Sequence, residues 1–220
     1  MSIVNNLHPM NSSTGEGSSQ VQFNEKVILN INRLNSYGMN TDTISDLMNV
    51  SLKSYANITL ASQTSDINVT DNIEKEIFKD DIGDKTIPAN YFEAGQTLAI
   101  DLMGHITTTS SAGTLIIKVK LGSTTLVTSP TVTLANNLTD SLFLGKIFIN
   151  CRSIGATGTV FCHGFIDIDK GSNSFDRISL VTPSTITIDT TIAQETIITA
   201  TMNLASGNNI HITAGHIRKL

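Results

Sequence analysis

Asp167 and Asp169 are the side chains whose type and spacing come closest to a catalytic pair. Paired carboxylates carry out the acid–base hydrolysis of glycosidic bonds. The same stretch alternates apolar and polar residues, so a strand here would turn both acids to solvent and Ile166 and Ile168 to a core. We expect this second arrangement and no catalytic residue, with a glycoside hydrolase or lyase as an alternative.

Metal-ligating and nucleophilic side chains are present, but they are not spaced as in functional sites. Cys151 and Cys162 form no CxxC motif, and the adjacent Cys162 and His163 would point to opposite faces of a strand. The stretch Gly155–Gly158 lacks the Lys and the following helix of a phosphate-binding loop, and no GxSxG motif occurs. The five histidines are His8, His105, His163, His211 and His216. We expect no metal, no cofactor and no enzymatic activity.

Composition and charge narrow the class of partner. Charged residues make up 15% of the chain, and the net charge is −5. Residues 1–84 carry 11 acids and 5 bases, and residues 85–220 carry 8 acids and 9 bases, so neither part has the dense basic stripe of a nucleic-acid-binding surface. The polar first 20 residues do not form a secretory signal, and no apolar run approaches the ~20 residues of a membrane span. We therefore expect a protein made in the cytoplasm, without a direct nucleic-acid or membrane partner.

Residues 1–84 are predicted to serve in attachment and oligomerisation. Residues 1–20 are polar apart from an apolar tip, which is typical either of an arm that orders on a partner or of a frayed terminus. Residues 24–55 carry two apolar stripes at helical spacing, which predict two short helices. The candidate contact residues on these stripes are Ile28, Ile31, Leu34, Ile44, Leu47, Met48, Leu52 and Tyr55. Stripes of this width must pack on the main domain, on each other or on neighbouring subunits.

The character of the chain changes near residue 85. Residues 56–84 are acidic and predict a solvated connector, because the spacing of the acids does not match a calcium loop. Beyond it, short Thr, Ile and Val runs separated by turn residues favour an antiparallel, jelly-roll-like β-sandwich over residues 85–220. The predicted strands cover 86–92, 96–107, 114–121, 124–128, 131–134, 141–152, 158–169, 178–181, 184–190, 194–204 and 208–217.

The two cysteines belong to a predicted hairpin. Symmetric pairing about the turn Gly155–Gly158 places Cys151 opposite Cys162 and Phe148 opposite Phe165. Directly opposed Cβ atoms are about 4.5–5.5 Å apart, which is longer than the roughly 3.5–4.5 Å of a disulfide. We therefore expect two buried, free thiols.

Several stretches of the predicted sandwich resemble a known module. They are the Pro-containing opening Thr86–Leu98, the Gly-turned Thr114–Gly122, the segment Ser153–Val160, and the closing pieces Ile188–Thr191 and Thr199–Thr201. Their order is similar to a module at the C-terminus of many tailed-phage virion proteins, over roughly residues 85–215. The resemblance implies a jelly-roll-like sandwich, a place in the virus particle and a trimer. It supplies no catalytic residues, and the first 84 residues have no counterpart in it.

Together these features predict a non-enzymatic virion structural protein, made in the host cytoplasm. We expect a capsid-surface fibre or decoration subunit rather than a tail component, because the chain is short for a tail fibre. Its expected partners are other virion proteins, of the capsid or tail, and further copies of itself.

The alternative is a receptor- or glycan-binding module of a phage tail or fibre, with the sandwich loops contacting a host surface glycan. The composition disfavours this alternative. Trp and Tyr side chains are the usual platforms for sugar rings, and the chain has no Trp and only three Tyr, Tyr37, Tyr55 and Tyr91.

The predicted attachment stripe can be tested directly. Replacing Ile44, Leu47 and Met48 together by Ser should leave the sandwich folded but abolish incorporation or oligomerisation, because the stripe would lose its apolar contact surface. Circular dichroism reports the fold, and light scattering reports the solution mass. If neither mass nor incorporation changes, the stripe packs only on its own domain.

Overall fold

The computed structural model describes residues 58–220, except residues 71, 112, 171–173 and 204–206. The arm of residues 1–20 and all eight predicted attachment residues lie outside this part. The described residues form strands and no helix, which confirms the predicted mainly β class. Accordingly, this part of the chain holds no helix that could cross a membrane.

Fifteen strands are found in the described residues. They are β1 (Thr59–Gln63), β2 (Ile67–Val69), β3 (Lys75–Glu76), β4 (Ile82–Gly83), β5 (Thr86–Ile87), β6 (Thr97–Thr107), β7 (Thr114–Leu121), β8 (Thr124–Thr128), β9 (Val132–Thr133), β10 (Ser141–Ser153), β11 (Gly158–Asp169), β12 (Phe175–Val181), β13 (Ile186–Ile188), β14 (Gln194–Asn203) and β15 (Asn209–Lys219).

These strands form two antiparallel sheets packed as a sandwich. The nine-stranded sheet runs in the order β12–β11–β10–β6–β15–β1–β4, with β13 beside β11 and β2 beside β15. The six-stranded sheet runs β3–β14–β7–β8, with β5 beside β14 and β9 beside β7. Because strands distant in sequence are neighbours in both sheets, the chain crosses repeatedly between the two layers.

The core lies between the sheets and is made by alternate residues of each strand. Strand β7 shows the pattern plainly, since Leu115, Ile117, Val119 and Leu121 are fully buried and the residues between them are not. Gly122, at φ 55°, then makes the tight turn into β8 that its sequence predicts. The alternation leaves one face of each sheet outside the core, available for other contacts.

Ten of the eleven predicted strands agree with the structure to within three residues at each end. The exception is the strand predicted over 86–92, which ends at Ile87. Pro88 has no N–H for a sheet ladder, and its carbonyl instead accepts the Tyr91 N–H, 3.2 Å away, in a turn. Tyr91 and Phe92 are buried, but they enter the core from a loop.

The prediction of a solvated connector over residues 56–84 is wrong for the described residues. Strands β1 and β2 pair with β15, β4 pairs with β1, and β3 pairs with β14, so this segment contributes to both sheets. Ala61, Val69, Ile77 and Phe78 are buried in the common core. The sandwich therefore begins by residue 59 and not near residue 85, because strands of two to five residues can form by hydrogen bonding to a long neighbouring strand.

The predicted hairpin exists, but its register is wrong by two residues. Cys151 lies opposite Val160, and Cys162 lies opposite Ile149. A bulge at Arg152 adds a residue to β10, so the two strands are not symmetric about the turn. Since a shift of two residues preserves the strand faces, both cysteines are still buried and free, as predicted.

The predicted pairing of two phenylalanines is wrong for the same reason. Phe148 lies opposite His163, and Phe165 lies opposite Lys146. All four side chains point away from the core, on the outer face of the larger sheet.

The contribution of the N-terminal strands can be measured with two matched substitutions. Ile77→Ala should lower the free energy of unfolding by about 2–5 kcal/mol, because Ile77 is fully buried. Ile82→Ala, five residues on and 62% exposed, should change it by less than about 0.5 kcal/mol. Chemical denaturation of the two variants provides the comparison. Equal, small changes in the free energy of unfolding would show that this segment is a connector outside the core.

Candidate functional site

The candidate site is the outer face of the nine-stranded sheet, which is turned away from the core. On β10 the outward positions are 142, 144, 146, 148, 150 and 152, and on β11 they are 161, 163, 165, 167 and 169. These positions carry five phenylalanine or leucine side chains among polar ones. An apolar side chain on an outward strand position must be covered by something other than the core, or remain in water.

An apolar patch lies toward one end of this face and consists of Met103, Leu142, Leu144 and Phe175. Their exposed fractions are 39%, 41%, 36% and 53%. Met103 and Leu144 are paired directly across β6 and β10. Leu142, Leu144 and Phe175 line an open groove of about 580 Å³. The four residues come from three strands, so that only the folded sheet brings them together.

Arg177 forms the polar border of the apolar patch. Its Nε and Nη2 atoms donate to the two carboxylate oxygens of Asp167 at 2.8 and 2.7 Å. Its guanidinium lies over the Phe165 ring, 4.1 Å from the centroid. The pKa of Asp167 is lowered by these hydrogen bonds. A general acid of a glycosidase needs the opposite shift, so this geometry gives no support to a hydrolytic role of Asp167.

The predicted orientation of β11 is confirmed. Asp167 lies on the outer face, while Ile166 and Ile168 are buried. Asp169 shares the outward phase of Asp167 on the same strand.

A second groove, which we call the aromatic groove, lies toward the other end of the face. Its lining residues are Thr97, Phe148, Asn150, Arg152, Phe161 and His163, and its volume is about 420 Å³. The Phe148 and His163 rings stack with centroids 5.3 Å apart and an angle of 27° between their planes. Phe161 lies 5.8 Å from His163 on the same side of the sheet. The groove is therefore lined by three aromatic rings, with polar groups at its edge.

Two of the histidines come together, which the sequence alone does not indicate. His105 and His211 are paired across β6 and β15, and their ring centroids are 4.5 Å apart. Nε2 of His211 lies 2.9 Å from an oxygen of Asp66, and Nε2 of His105 lies 3.6 Å from an oxygen of Asp140. Each ring thus faces its own carboxylate. Across the described part of the chain, no three His, Cys, Asp or Glu side chains are grouped so that they could share a metal ion.

The cysteines lie on the other, core side of the same strands. Burial raises the pKa of the Cys162 thiol to about 12, and it also raises the pKa of Cys151. A raised pKa keeps both groups as thiols at neutral pH, whereas nucleophilic cysteines have lowered values. Both side chains act here as small apolar residues of the core.

The outer face of the six-stranded sheet carries a cluster of paired charges. The Glu74 carboxylate accepts hydrogen bonds from Lys118 at 2.5 Å, from Lys120, and from the Thr199 hydroxyl at 2.9 Å. These bonds lower the pKa of Glu74 to about 2. Lys85 makes a similar bridge to Glu76 and Glu195, at the edge of the same sheet. A face of paired charges is stable in water without a partner.

No family model matches the chain, and no curated protein is significantly similar to it in sequence. These comparisons therefore assign no role to the residues of the outer face.

The aromatic residues of this face were missed by the sequence argument, which counted only Trp and Tyr as platforms. Tyr91 is buried in the core, whereas Phe148, Phe161 and Phe165 lie on the outer face. A signal was present, since these three residues fall on the same strand phase as the polar Asn150 and Asp167. The phase showed which face they share, but only the pairing of the strands shows which of them are neighbours.

The Glu74 cluster predicts a pH dependence of stability. The pKa of the Glu74 carboxyl group in the folded state is lowered to about 2 from the ordinary 4.5. The stabilising effect of the ionised carboxylate is therefore complete above pH 4.5 and is lost as the pH falls through 2. Glu74→Gln should therefore be less stable than the parent protein at pH 7, and the difference should shrink from pH 4.5 to pH 2. Denaturation curves across this range test it, with Glu93→Gln at an exposed loop as control. A difference that does not change with pH would contradict the expectation.

Proposed function

We propose that this chain is a non-enzymatic structural protein of a virus particle, a capsid-surface fibre or decoration subunit, and that the apolar patch on the outer face of its nine-stranded sheet packs on a neighbouring particle protein. The observation that carries the proposal is the apolar patch of Met103, Leu142, Leu144 and Phe175, which is contiguous and open to solvent. Contiguous exposed apolar surface of this kind marks protein–protein contacts.

The composition of the patch and its border supports this use. Protein interfaces are enriched in aromatic residues, Met and Arg, and their centres are depleted of Lys, Glu and Asp. Met103, Phe175 and the Arg177–Phe165 pair fit this description. Asp167 lies beside them, and its charge is already matched by Arg177. Covering the patch would therefore not leave the Asp167 carboxylate unpaired.

The contrast between the two outer faces supports the choice of surface. Charged groups on the six-stranded sheet satisfy one another, as in the bridge from Glu74 to Lys118 and Lys120. On the nine-stranded sheet, the side chains of the apolar patch are exposed to solvent. Burial of apolar surface contributes roughly 25 cal/mol per Å². Burial of the apolar patch on the nine-stranded sheet would therefore favour assembly.

The assignment to a virus particle rests on the resemblance of residues 85–215 to the virion module. The sandwich agrees with what that resemblance implies about fold, although fold by itself does not determine function. The proposed mechanism is assembly, in which apolar sheet surface is buried against other virion proteins. A trimer and attachment through residues 1–55 are part of the proposal.

Substitution of the apolar patch tests the proposal. Leu142→Ser combined with Leu144→Ser should reduce incorporation into particles at least about tenfold, because two anchors of the contact are lost. Thermal stability of the free protein should change little, since both side chains are substantially exposed. The measurement is quantitative immunodetection of the chain in purified particles.

The matched control is Ile192→Ser, at an apolar residue that is 54% exposed and lies outside the face. It should be incorporated like the parent protein. Normal incorporation of the double variant would exclude the patch as the contact. Absence of the parent chain from purified particles, measured by mass spectrometry, would overturn the assignment to the virion.

A further inference from the structure

We propose that the aromatic groove is a binding site for a carboxylate-bearing sugar, whose ring packs on Phe148, Phe161 and His163 and whose carboxylate is bound by Arg152. This goes beyond assembly, and it concerns a part of the outer face that the apolar patch does not include.

The aromatic lining of the groove offers apolar contact to a sugar ring. Phe148 and His163 lie on neighbouring strands with their ring planes 27° apart, and Phe161 extends the surface along β11. Positions two residues apart on a strand are separated by about 6.5 Å, and adjacent strands by about 4.8 Å. The three rings therefore form a connected aromatic lining whose span is comparable with that of one hexose. The volume of about 420 Å³ lies within the usual range for small-ligand sites.

The edge of the groove offers both hydrogen-bonding roles that hydroxyl groups require. Asn150 donates its two N–H groups to the Thr97 hydroxyl at 2.9 Å and to the Gly95 carbonyl at 3.3 Å. Its carbonyl oxygen thus remains an acceptor, and the Thr97 hydroxyl can donate outward because its oxygen already accepts. A sugar hydroxyl can bind to either group. The internal bonds hold Asn150 and Thr97 in place before a ligand arrives.

Arg152 gives the groove its preference for an acid. It is exposed at the bulge in β10 and makes no ion pair with the described residues. Arg177, on the same face, is by contrast occupied by Asp167. A guanidinium binds a carboxylate in a bidentate manner, and such charge-assisted bonds are about twice as strong as neutral ones. A guanidinium that makes no ion pair within the described part of the chain, beside an aromatic lining, therefore favours an acidic sugar over a neutral one.

An acidic peptide is the competing ligand, and the sheet disfavours it. Extended peptides bind to a sheet by adding a strand at an open edge. The groove lies over β10 and β11, and β10 is paired on both sides, with β6 and β11. Its backbone groups are therefore already used, and only side chains can recognise a ligand here.

The test titrates the full-length protein with methyl β-glucuronide and methyl β-glucoside, which differ only in the carboxylate. The methyl glycoside of N-acetylneuraminic acid and a tetraglutamate peptide complete the set. Calorimetry or ligand-observed NMR measures the affinity. We expect at least one acidic sugar to bind about tenfold or more tightly than the glucoside, because it gains the charge-assisted bond. No binding of either acidic sugar, or tighter binding of the peptide, would overturn the proposal.

Variants locate the site. Phe161→Ala should abolish sugar binding, and Arg152→Gln should weaken the acidic sugar about tenfold, to the level of the glucoside. Arg177→Gln is the matched control and should bind like the parent protein. An unchanged affinity in Arg152→Gln would show that the carboxylate is bound elsewhere. Equal losses of affinity in Arg152→Gln and Arg177→Gln would show a general effect of charge. Each of these two results would reject the site. Because Arg152 is exposed, its variant is informative even if Phe161→Ala fails to fold.

This inference and the assembly proposal fail independently. The Leu142→Ser and Leu144→Ser variant should keep sugar binding, whereas Arg152→Gln should keep incorporation into particles. Loss of sugar binding in the apolar-patch variant would show that the aromatic groove is not a separate site.

Discussion

Burial of one face of each sheet against the other is the constraint on which the rest of this structure depends. Side chains alternate along a strand, so the burial of Ile147, Ile149 and Cys151 forces Phe148 and Asn150 to the outside. A shift of one residue would exchange the two sets and place polar groups in the core. The surfaces that can bind a partner are therefore set by the same register that builds the core.

The two outer faces differ in the side chains that they expose to water. The six-stranded sheet pairs opposite charges, and Glu74 bridges two lysines on β7 while holding the short β3 region against β14. The nine-stranded sheet leaves apolar and aromatic side chains open at both ends of one face. Exposed apolar surface is costly in water, whereas paired charges are hydrated. This difference is the reason for placing the proposed contact on the larger sheet.

The long strands were predictable because their residues alternate, as Leu115 to Leu121 do. Strands β1 to β4 were not, because they have only two to five residues, and they exist through pairing with β15, β14 and one another. Ile77 and Phe78 carried a local hint, since two large apolar residues stand between Glu76 and Lys79. A local window, however, could not show that this pair enters a core formed more than a hundred residues later.

The candidate site shows the same division. From sequence, the strand phases of Phe148, Phe161 and Asp167 could be assigned, and with them the face that each shares. The turn and the bulge at Arg152 together shift the hairpin by two residues from the predicted pairing, which left the faces intact but changed every neighbour across the strands. Alternation is a local property of the chain, so the sequence by itself determined the antiparallel sandwich and which side chains avoid the core. Pairing between strands depends on turn geometry and distant partners, so only the tertiary structure decided which outward side chains meet to form the apolar patch and the aromatic groove.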